Sequence, residues 1–266
     1  MGELRAYVAL GAAQIRSAAS YRTSFLVELF GNVGATVFDV LTVLVLFRAT
    51  PAVGGFTLRE AVVIVGFSSA GFALADLLVG NVDRLKTYVR AGTLDAVLVR
   101  PLPALPQLLL MDLPIRKTLR VVFGFVVLGV AIAANDVDWT VSRVLLVLLT
   151  PLAAGVFFGS IFVLSASLAF WWVDSGEIGS AFTYGGRDFT SYPISVYDSW
   201  FRNLFAYALG FGFIAYHPAL TLLGRDDPLG LPAWTGFLSP LAALGAATVA
   251  AVVWRSGIRH YRSTGS

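Results

Sequence analysis

Five stretches of this chain are each long and apolar enough to cross a lipid bilayer as an α-helix. A spanning helix needs about 20 consecutive, mostly apolar residues. The stretches run over Phe25–Phe47, Ala61–Gly80, Thr118–Ala134, Val144–Trp172 and Leu231–Trp254. Because the bilayer core offers backbone groups no hydrogen-bond partners, unbroken apolar segments of this length fold as helices. The sequence therefore predicts an all-α, polytopic membrane protein.

The composition excludes a soluble domain. Hydrophobic residues make up 57% and charged residues 13% of the 266 residues, whereas soluble domains contain about 25% charged residues. So few charges cannot cover a water-facing surface. We therefore interpret the net charge of +3 as loop arginines that face anionic membrane lipid, and not as a nucleic-acid-binding surface.

Two regions fit the simple spanning pattern less well. Residues 174–192 are semi-polar, whereas residues 200–216 are apolar but interrupted by polar residues and glycines. We predict one further crossing between residues 173 and 230, together with short helices that enter the membrane and return, which gives six spans. Residues 1–24 have apolar positions at helical spacing and predict a short helix in the membrane interface.

The basic residues predict the orientation of the chain. Twelve lysines and arginines lie before the first span, in the loop 81–117 and in the tail, whereas only four lie in the other loops, at Arg48, Arg59, Arg143 and Arg225. Cytoplasmic loops are enriched in basic residues. We therefore expect both termini and the loop 81–117 in the cytoplasm of a multi-pass protein of the cell membrane.

The loop 81–117 combines charge with apolar residues. Val82, Leu85 and Val89 recur at helical spacing, and Gly92 is expected to end that helix. The next five apolar residues, at 94 and 96–99, form a patch before Arg100 and three prolines. An exposed apolar patch of this kind needs a cover. Either it lies against the bilayer interface or it docks a cytoplasmic partner.

Polar side chains inside the predicted spans are the remaining candidates for a functional site, because such groups are expensive in a membrane and often functional. In the first span, one helix face contains Glu28, Asn32 and Asp39. In the second span, one helix face contains Ser69 and Asp76. These residues either line a translocation path or form helix-packing contacts. For Asp39 and Asp76, structural ion pairing is the first interpretation and proton or substrate coupling the second.

The sequence contains no catalytic constellation. The two histidines, His217 and His260, are predicted on opposite sides of the membrane, and cysteine is absent, so we expect no metal site and no catalytic residue. The lysines, Lys86 and Lys117, do not lie in a Gly-Lys-Ser/Thr phosphate loop. If the protein uses ATP, another chain must bind it.

Several short motifs resemble one family of membrane proteins when they are taken in order. They are Ala-Ser-Tyr-Arg-Thr-Ser-Phe-Leu at 19–26, the segment 89–102 with its Gly-x-Leu-Asp run, Phe-Trp-Trp at 170–172, Tyr-Pro-Ile-Ser-Val-Tyr at 192–197, Pro-Ala at 218–219, Leu-Gly at 223–224 and the tail 254–263. The ordered set resembles the small six-span permease subunits of type-2 ATP-binding cassette (ABC) exporters, and it covers nearly the whole chain.

This resemblance implies a single transmembrane permease domain over residues 1–266, which forms half of a translocation path. Residues 81–117 would be a cytoplasmic coupling loop and residues 197–224 an extracytoplasmic re-entrant segment. The implied ATPase-coupling residues are Arg90, Gly92, Leu94, Asp95, Leu98, Arg100 and Pro101. The implied outer-gate residues are Tyr192, Pro193, Tyr197 and Pro218. ATP and Mg would be bound by a partner ATPase, and not by this chain.

The resemblance also implies two copies of an ATPase subunit and a second permease. Asp39 and Asp76 have few basic partners in this chain's predicted spans, because Arg120 and Arg202 lie near span ends. A different second permease could supply the missing positive charge, so we favour it over an identical one. The substrate is expected to be amphipathic or hydrophobic. The alternatives are an ion- or proton-coupled secondary transporter that uses Asp39 and Asp76, a membrane-embedded enzyme, and an assembly protein.

Overall fold

The computed structural model describes residues 31, 34, 37, 41–50, 52–111, 117–172 and 175–261. Apart from turns and an isolated bridge between Val53 and Phe56, the described secondary structure is helical, which confirms the all-α prediction. The predicted interfacial helix 1–24 and the residues Glu28, Asn32 and Asp39 lie outside the described residues.

The described α-helices are numbered here in chain order. They are α1 at residues 41–49, α2 at Leu58–Leu78, α3 at Leu85–Arg90, α4 at Thr93–Leu98, α5 at Ala104–Leu110, α6 at Thr118–Ala133, α7 at Val141–Ser167, α8 at Gly176–Thr190, α9 at Ser199–Arg202, α10 at Tyr216–Leu223 and α11 at Ser239–His260. Short 3-10 turns extend α2 and α7, at Gly80–Arg84 and Leu168–Phe170.

Three described helices are long and apolar enough to cross a membrane: α2, α7 with its 3-10 extension, and α11. A fourth candidate is the pair Ser199–Ala208 and Phe211–Leu223, which is bent by 66° at Gly210. Helix α6 is apolar but shorter. These helices make the chain a multi-pass membrane protein, and the count of six spans stays a prediction.

The predicted bounds of the last span were wrong at its start. Hydropathy placed it at Leu231–Trp254, whereas α11 covers Ser239–His260. Residues Ala233–Phe237 form a separate 3-10 turn after Pro232, and Pro240 lies in the first turn of α11, where a missing backbone N–H costs no hydrogen bond. A hydropathy window averages over such breaks, and it also undervalues a last turn that contains basic residues.

Side-chain contacts show which loops lie together at each end of the helix bundle. At the first, which we call the arginine-rich end, the hydroxyl of Tyr261 donates to Asp95, so the tail meets the loop after α2. At the second, which we call the opposite end, Arg225 pairs with Glu60, and Asn135 donates to the carbonyl of Arg59. Helices α2, α6, α7, α8 and α11 run between these two ends.

Both ends of the bent helix pair lie at the opposite end of the molecule. Ser195, just before α9, donates to the carbonyl of Gly54, and Arg225, just after α10, donates to the carbonyl of Gly55. The chain therefore enters and leaves this region on the same side. The apolar interior of the pair packs against α7 and α8 through aromatic rings, with Phe211 centred 4.9 Å from Phe157.

Helix α2 lies at the centre and packs closely against α6 and α7. A methyl group on Gly66 would lie 2.7 Å from Cα of Leu128, and one on Gly124 would lie 3.0 Å from Cα of Ala70. A methyl group on Gly71 would overlap Cβ of Ala154. Glycines at these contacts let the backbones approach, which is how helices associate in lipid.

The close approach at Gly71 gives a test of this packing. We expect Gly71→Leu to lower the free energy of unfolding by at least about 1–3 kcal/mol, because the new side chain must displace α7. The matched change Gly245→Leu on α11 should have little effect, since nothing lies within 4 Å of a methyl group placed there. Thermal unfolding in detergent measures both variants. Equal stability of the two variants would contradict the close packing of α2.

Candidate functional site

The carboxylate of Asp76, in the last turn of α2, pairs with two cations. Arg120 lies in α6, and Lys117 is the residue that precedes α6. Lys117 Nζ lies 2.5 Å from Oδ1, and Arg120 Nη1 lies 3.0 Å from Oδ2. The Asp76 side chain is only 2% exposed. A buried carboxylate is tolerated when it is paired and hydrogen-bonded in this way. The structure therefore supports ion pairing as the role of Asp76.

A second arginine joins this cluster from α8. The guanidinium of Arg187 lies over the ring of Phe72, with Cζ 5.2 Å from the ring centroid, and Arg120 lies 5.4 Å from the same centroid. Close by, the hydroxyls of Ser68 and Thr190 are 2.6 Å apart. Helix α8 is thus fixed to α2 by polar and cation–π contacts in addition to apolar packing.

The other side of α8 is exposed and contains two carboxylates. Its exposed residues share one face, which we call the α8 polar face after those carboxylates: Glu177, Ile178, Ala181, Tyr184, Gly185 and Asp188. The Asp188 side chain is 70% exposed. Since charged groups at membrane depth are costly against hydrocarbon, this face must meet water or another protein.

Sequence reasoning missed Lys117, Arg120 and Arg187 as members of a site. The sequence places Arg120 near a span end without an evident partner. Arg187 lies in the semi-polar stretch 174–192, which fits the spanning pattern less well. Arg120 and Arg187 could have indicated the cluster, because an arginine inside a membrane segment requires an anion or an aromatic ring nearby.

Asp83 lies half-buried in the 3-10 turn after α2, beside the cluster around Asp76. Burial raises the pKa of the Asp83 carboxyl to about 6, and the negative charge of Asp76 adds to this rise. The nearby Lys117 and Lys86 lower the pKa and partly offset both effects. Asp83 is therefore electrostatically coupled to the cluster around Asp76.

The loop after α2 is a compact helical element. Gly92 adopts φ 67° and turns the chain between α3 and α4, which confirms that Gly92 ends the helix before it. Val82, Leu85 and Val89, which recur at helical spacing, are buried. The buried Gln107 donates to the carbonyls of Val97 and Leu102 and so holds α4 against α5.

The predicted apolar patch on this loop needs a correction. Leu94 is 1% exposed and Val97 is also buried, whereas Leu98 is 37% and Val99 is 85% exposed. The physical reason is that residues 93–98 form a helix, so Leu94 and Val97 turn inward while the next residues turn outward. The exposed surface is Leu98–Pro101, which includes Arg100 and which we call the loop tip.

A sequence-family comparison adds an independent finding. The model for ABC-2 family transporter proteins matches residues 33–265. The chain belongs to the ABC-2 transporter family. Comparisons with curated proteins and with solved structures gave no match. The family and the apolar helices together make this chain a permease of an ABC transporter, a class that works with an ATP-binding subunit.

In this ABC-2 permease the remaining predicted residues lie in four places. Tyr192 and Pro193 directly follow α8, and Tyr197 packs on Phe189 with ring centroids 4.6 Å apart. Pro218 is buried within α10, on the other arm of the bent helix pair. Ser69 is buried in α2. Of the coupling-loop residues, Arg90 is exposed at the end of α3, and Asp95 accepts the hydrogen bond from the tail.

The ion pairs of Asp76 also overturn a premise about the second permease. Asp76 was expected to have few basic partners within this chain's spans, but Lys117 and Arg120 supply two. The sequence distance hid them, because Lys117 precedes α6 and returns to the end of α2 only in the folded chain. Asp76 therefore gives no reason for a different second permease.

The ABC-2 permease should depend on this cluster for stability. We expect Asp76→Asn to destabilise the protein on the order of 3 kcal/mol, because it leaves two partly buried cations without their anion. Asp138→Asn is the matched control, since the Asp138 side chain is fully exposed where it meets Arg143 and such pairs contribute little. Thermal unfolding of both variants measures the difference. A stable Asp76→Asn protein would show that the ion cluster has no structural role.

Proposed function

We propose that this permease forms half of an export path and is driven by a separate ATPase subunit that docks on the loop between α2 and α6. The observation that supports this most is the structure of the loop. Buried residues fix the loop to the membrane helices, whereas the loop tip exposes the apolar residues Leu98 and Val99 between charged residues. A firm element with an exposed apolar tip is suited to transmit a partner's movement.

The contacts of the loop indicate which helices would receive the movement of the ATPase. Asn81 donates to the carbonyl of Leu108 and joins the end of α2 to α5, and Tyr261 joins α4 to the C-terminal tail. ATP and Mg bound by the ATPase would close that subunit and displace the loop tip. A bound nucleotide can bias the permease only through its different affinity for two states. The loop would pass this bias to α2 and α11.

This docking proposal predicts a selective assembly defect. Leu98→Asp with Val99→Asp should abolish ATPase association, because two charges would replace the exposed apolar surface, while insertion in the membrane should persist. Val141→Asp is the control, since Val141 is 80% exposed and begins α7 at the opposite end. Co-purification with the ATPase measures association. Normal assembly of the double variant with transport-coupled hydrolysis would refute the docking site.

We further propose that the α8 polar face lines the path for an amphipathic substrate. Its carboxylates and Tyr184 would contact water and the polar part of the substrate, while neighbouring apolar residues contact the rest. The cluster at Asp76, Arg120 and Arg187 lies behind this face and holds α8 on α2. We propose that the bent helix pair is a re-entrant outer gate near Tyr192 and Tyr197.

Accessibility to a charged thiol reagent tests this path. The chain contains no cysteine, and a side chain at Gly185 or Gly245 meets nothing within 4 Å. We expect Gly185→Cys to react, because the α8 polar face meets water. We expect Gly245→Cys to react slowly, because Leu241, Leu244 and Val249 expose apolar side chains around it. The two glycines lie at similar depths in their helices. Equal protection of both positions would contradict a water-lined face on α8.

We propose that both termini and the loop tip lie in the cytoplasm. The arginine-rich end contains Arg84, Lys86, Arg90, Arg100, Lys117, Arg255 and Arg259 among the described residues, whereas the opposite end contains Arg48, Arg59, Arg143 and Arg225, with Arg202 in the bent helix pair. This asymmetry supports a cytoplasmic arginine-rich end in the cell membrane. The ATPase would have to lie on that side.

We propose a complex of two ATPase subunits and two permeases, in which the permeases meet along the path. The charge argument for a different second permease now depends on Asp39 alone. On that argument, the mass of the detergent-solubilised complex should correspond to one copy of this chain, one other permease and two ATPase subunits. A mass with two copies of this chain would defeat the heterodimer and establish a homodimer.

A further inference from the structure

An apolar groove of about 870 Å³ opens between α2, α7 and α11. Small residues on α7 and α11 make room for it, among them Gly155, Gly159 and Ala250. Helix α5 covers one end of the groove through Leu105 and Leu109. This volume is in the range of small-molecule pockets, which are mostly apolar with few polar groups.

The charged groups of the groove lie at one end. Arg255 and Arg259, which are one helical turn apart on α11, line it there and are exposed. Within the described part of the chain, no carboxylate pairs with either guanidinium. Two adjacent guanidiniums at the mouth of an apolar groove favour a ligand with an anionic head and a hydrocarbon body.

The depth of the groove matches one leaflet of a bilayer. Its lining on α11 runs from Ala247 to Arg259, which is roughly 18 Å along a helix that rises 1.5 Å per residue. Half of a hydrocarbon core is about 15 Å. The groove therefore begins near the middle of the membrane and ends at the arginine-rich end, where the head groups of that leaflet lie.

We propose that this groove binds an acyl chain of an anionic phospholipid, with the lipid phosphate held by Arg255 and Arg259. Basic pockets between membrane helices on the cytoplasmic side are suited to anionic head groups. Because α5 belongs to the loop that supports the loop tip, a lipid in the groove would tie this loop to α7 and α11. The lipid would act as a stabilising ligand of the permease, separate from the transported substrate.

Lipid binding to the full-length chain in detergent tests the proposal. Native mass spectrometry would count bound phosphatidylglycerol. Phosphatidylcholine of the same acyl chains is the neutral comparison, because its choline cation offsets the charge of its phosphate. We expect Arg255→Gln with Arg259→Gln to weaken phosphatidylglycerol binding at least tenfold, and the lysine pair at these positions to retain most of it. The control is Arg48→Gln with Arg59→Gln, two exposed arginines at the opposite end, which should bind like the native chain.

A second variant separates the groove from the arginines. Ala251 lines the groove and is exposed, so Ala251→Phe should fold normally and still exclude the acyl chain. We expect it to reduce phosphatidylglycerol binding with both arginines intact. Unchanged binding in either the glutamine pair or Ala251→Phe would overturn the proposal, as would equal binding of the neutral lipid. Full displacement by glycerol phosphate would show a free-phosphate site and would also overturn it.

Discussion

The close approach of α2 to α6 and α7 determines most of this structure. In lipid there is no hydrophobic gain from bringing helices together, so association depends on packing and polar contacts. Gly66 and Gly71 on α2 and Gly124 on α6 remove the side chains that would keep these backbones apart. The same closeness brings Asp76 within reach of Lys117 and Arg120. Packing and charge pairing therefore support each other.

This arrangement explains why one helix of the bundle can be polar. Helix α8 is fixed to α2 by Arg187 on Phe72 and by the Ser68–Thr190 hydrogen bond, so it does not need an apolar surface all round. Its exposed side is free to present Glu177 and Asp188. A helix with these residues could not persist alone in hydrocarbon, which is why we assign its free side to the path.

The sequence predicted the parts of the fold that depend on local pattern. Long apolar runs located α2, α6 and α7 to within three residues at each start, and Gly92 was correctly read as a helix end. Features that depend on distant partners were not predictable in this way. The ion pairs of Asp76 form across 41 and 44 residues, and the burial of Leu94 depends on where α4 packs. Hydropathy also does not report that the chain breaks between Pro232 and Pro240, so that α11 begins only at Ser239.

The most direct test of coupled transport is the labelling rate of Gly185→Cys in the assembled complex, with and without a non-hydrolysable ATP analogue. If the ATPase drives the permease through the loop tip, nucleotide should change the reaction rate of this position several-fold. The change should vanish when Leu98 and Val99 are replaced by aspartate. A labelling rate that is the same with and without nucleotide in an intact, ATP-hydrolysing complex would contradict the account.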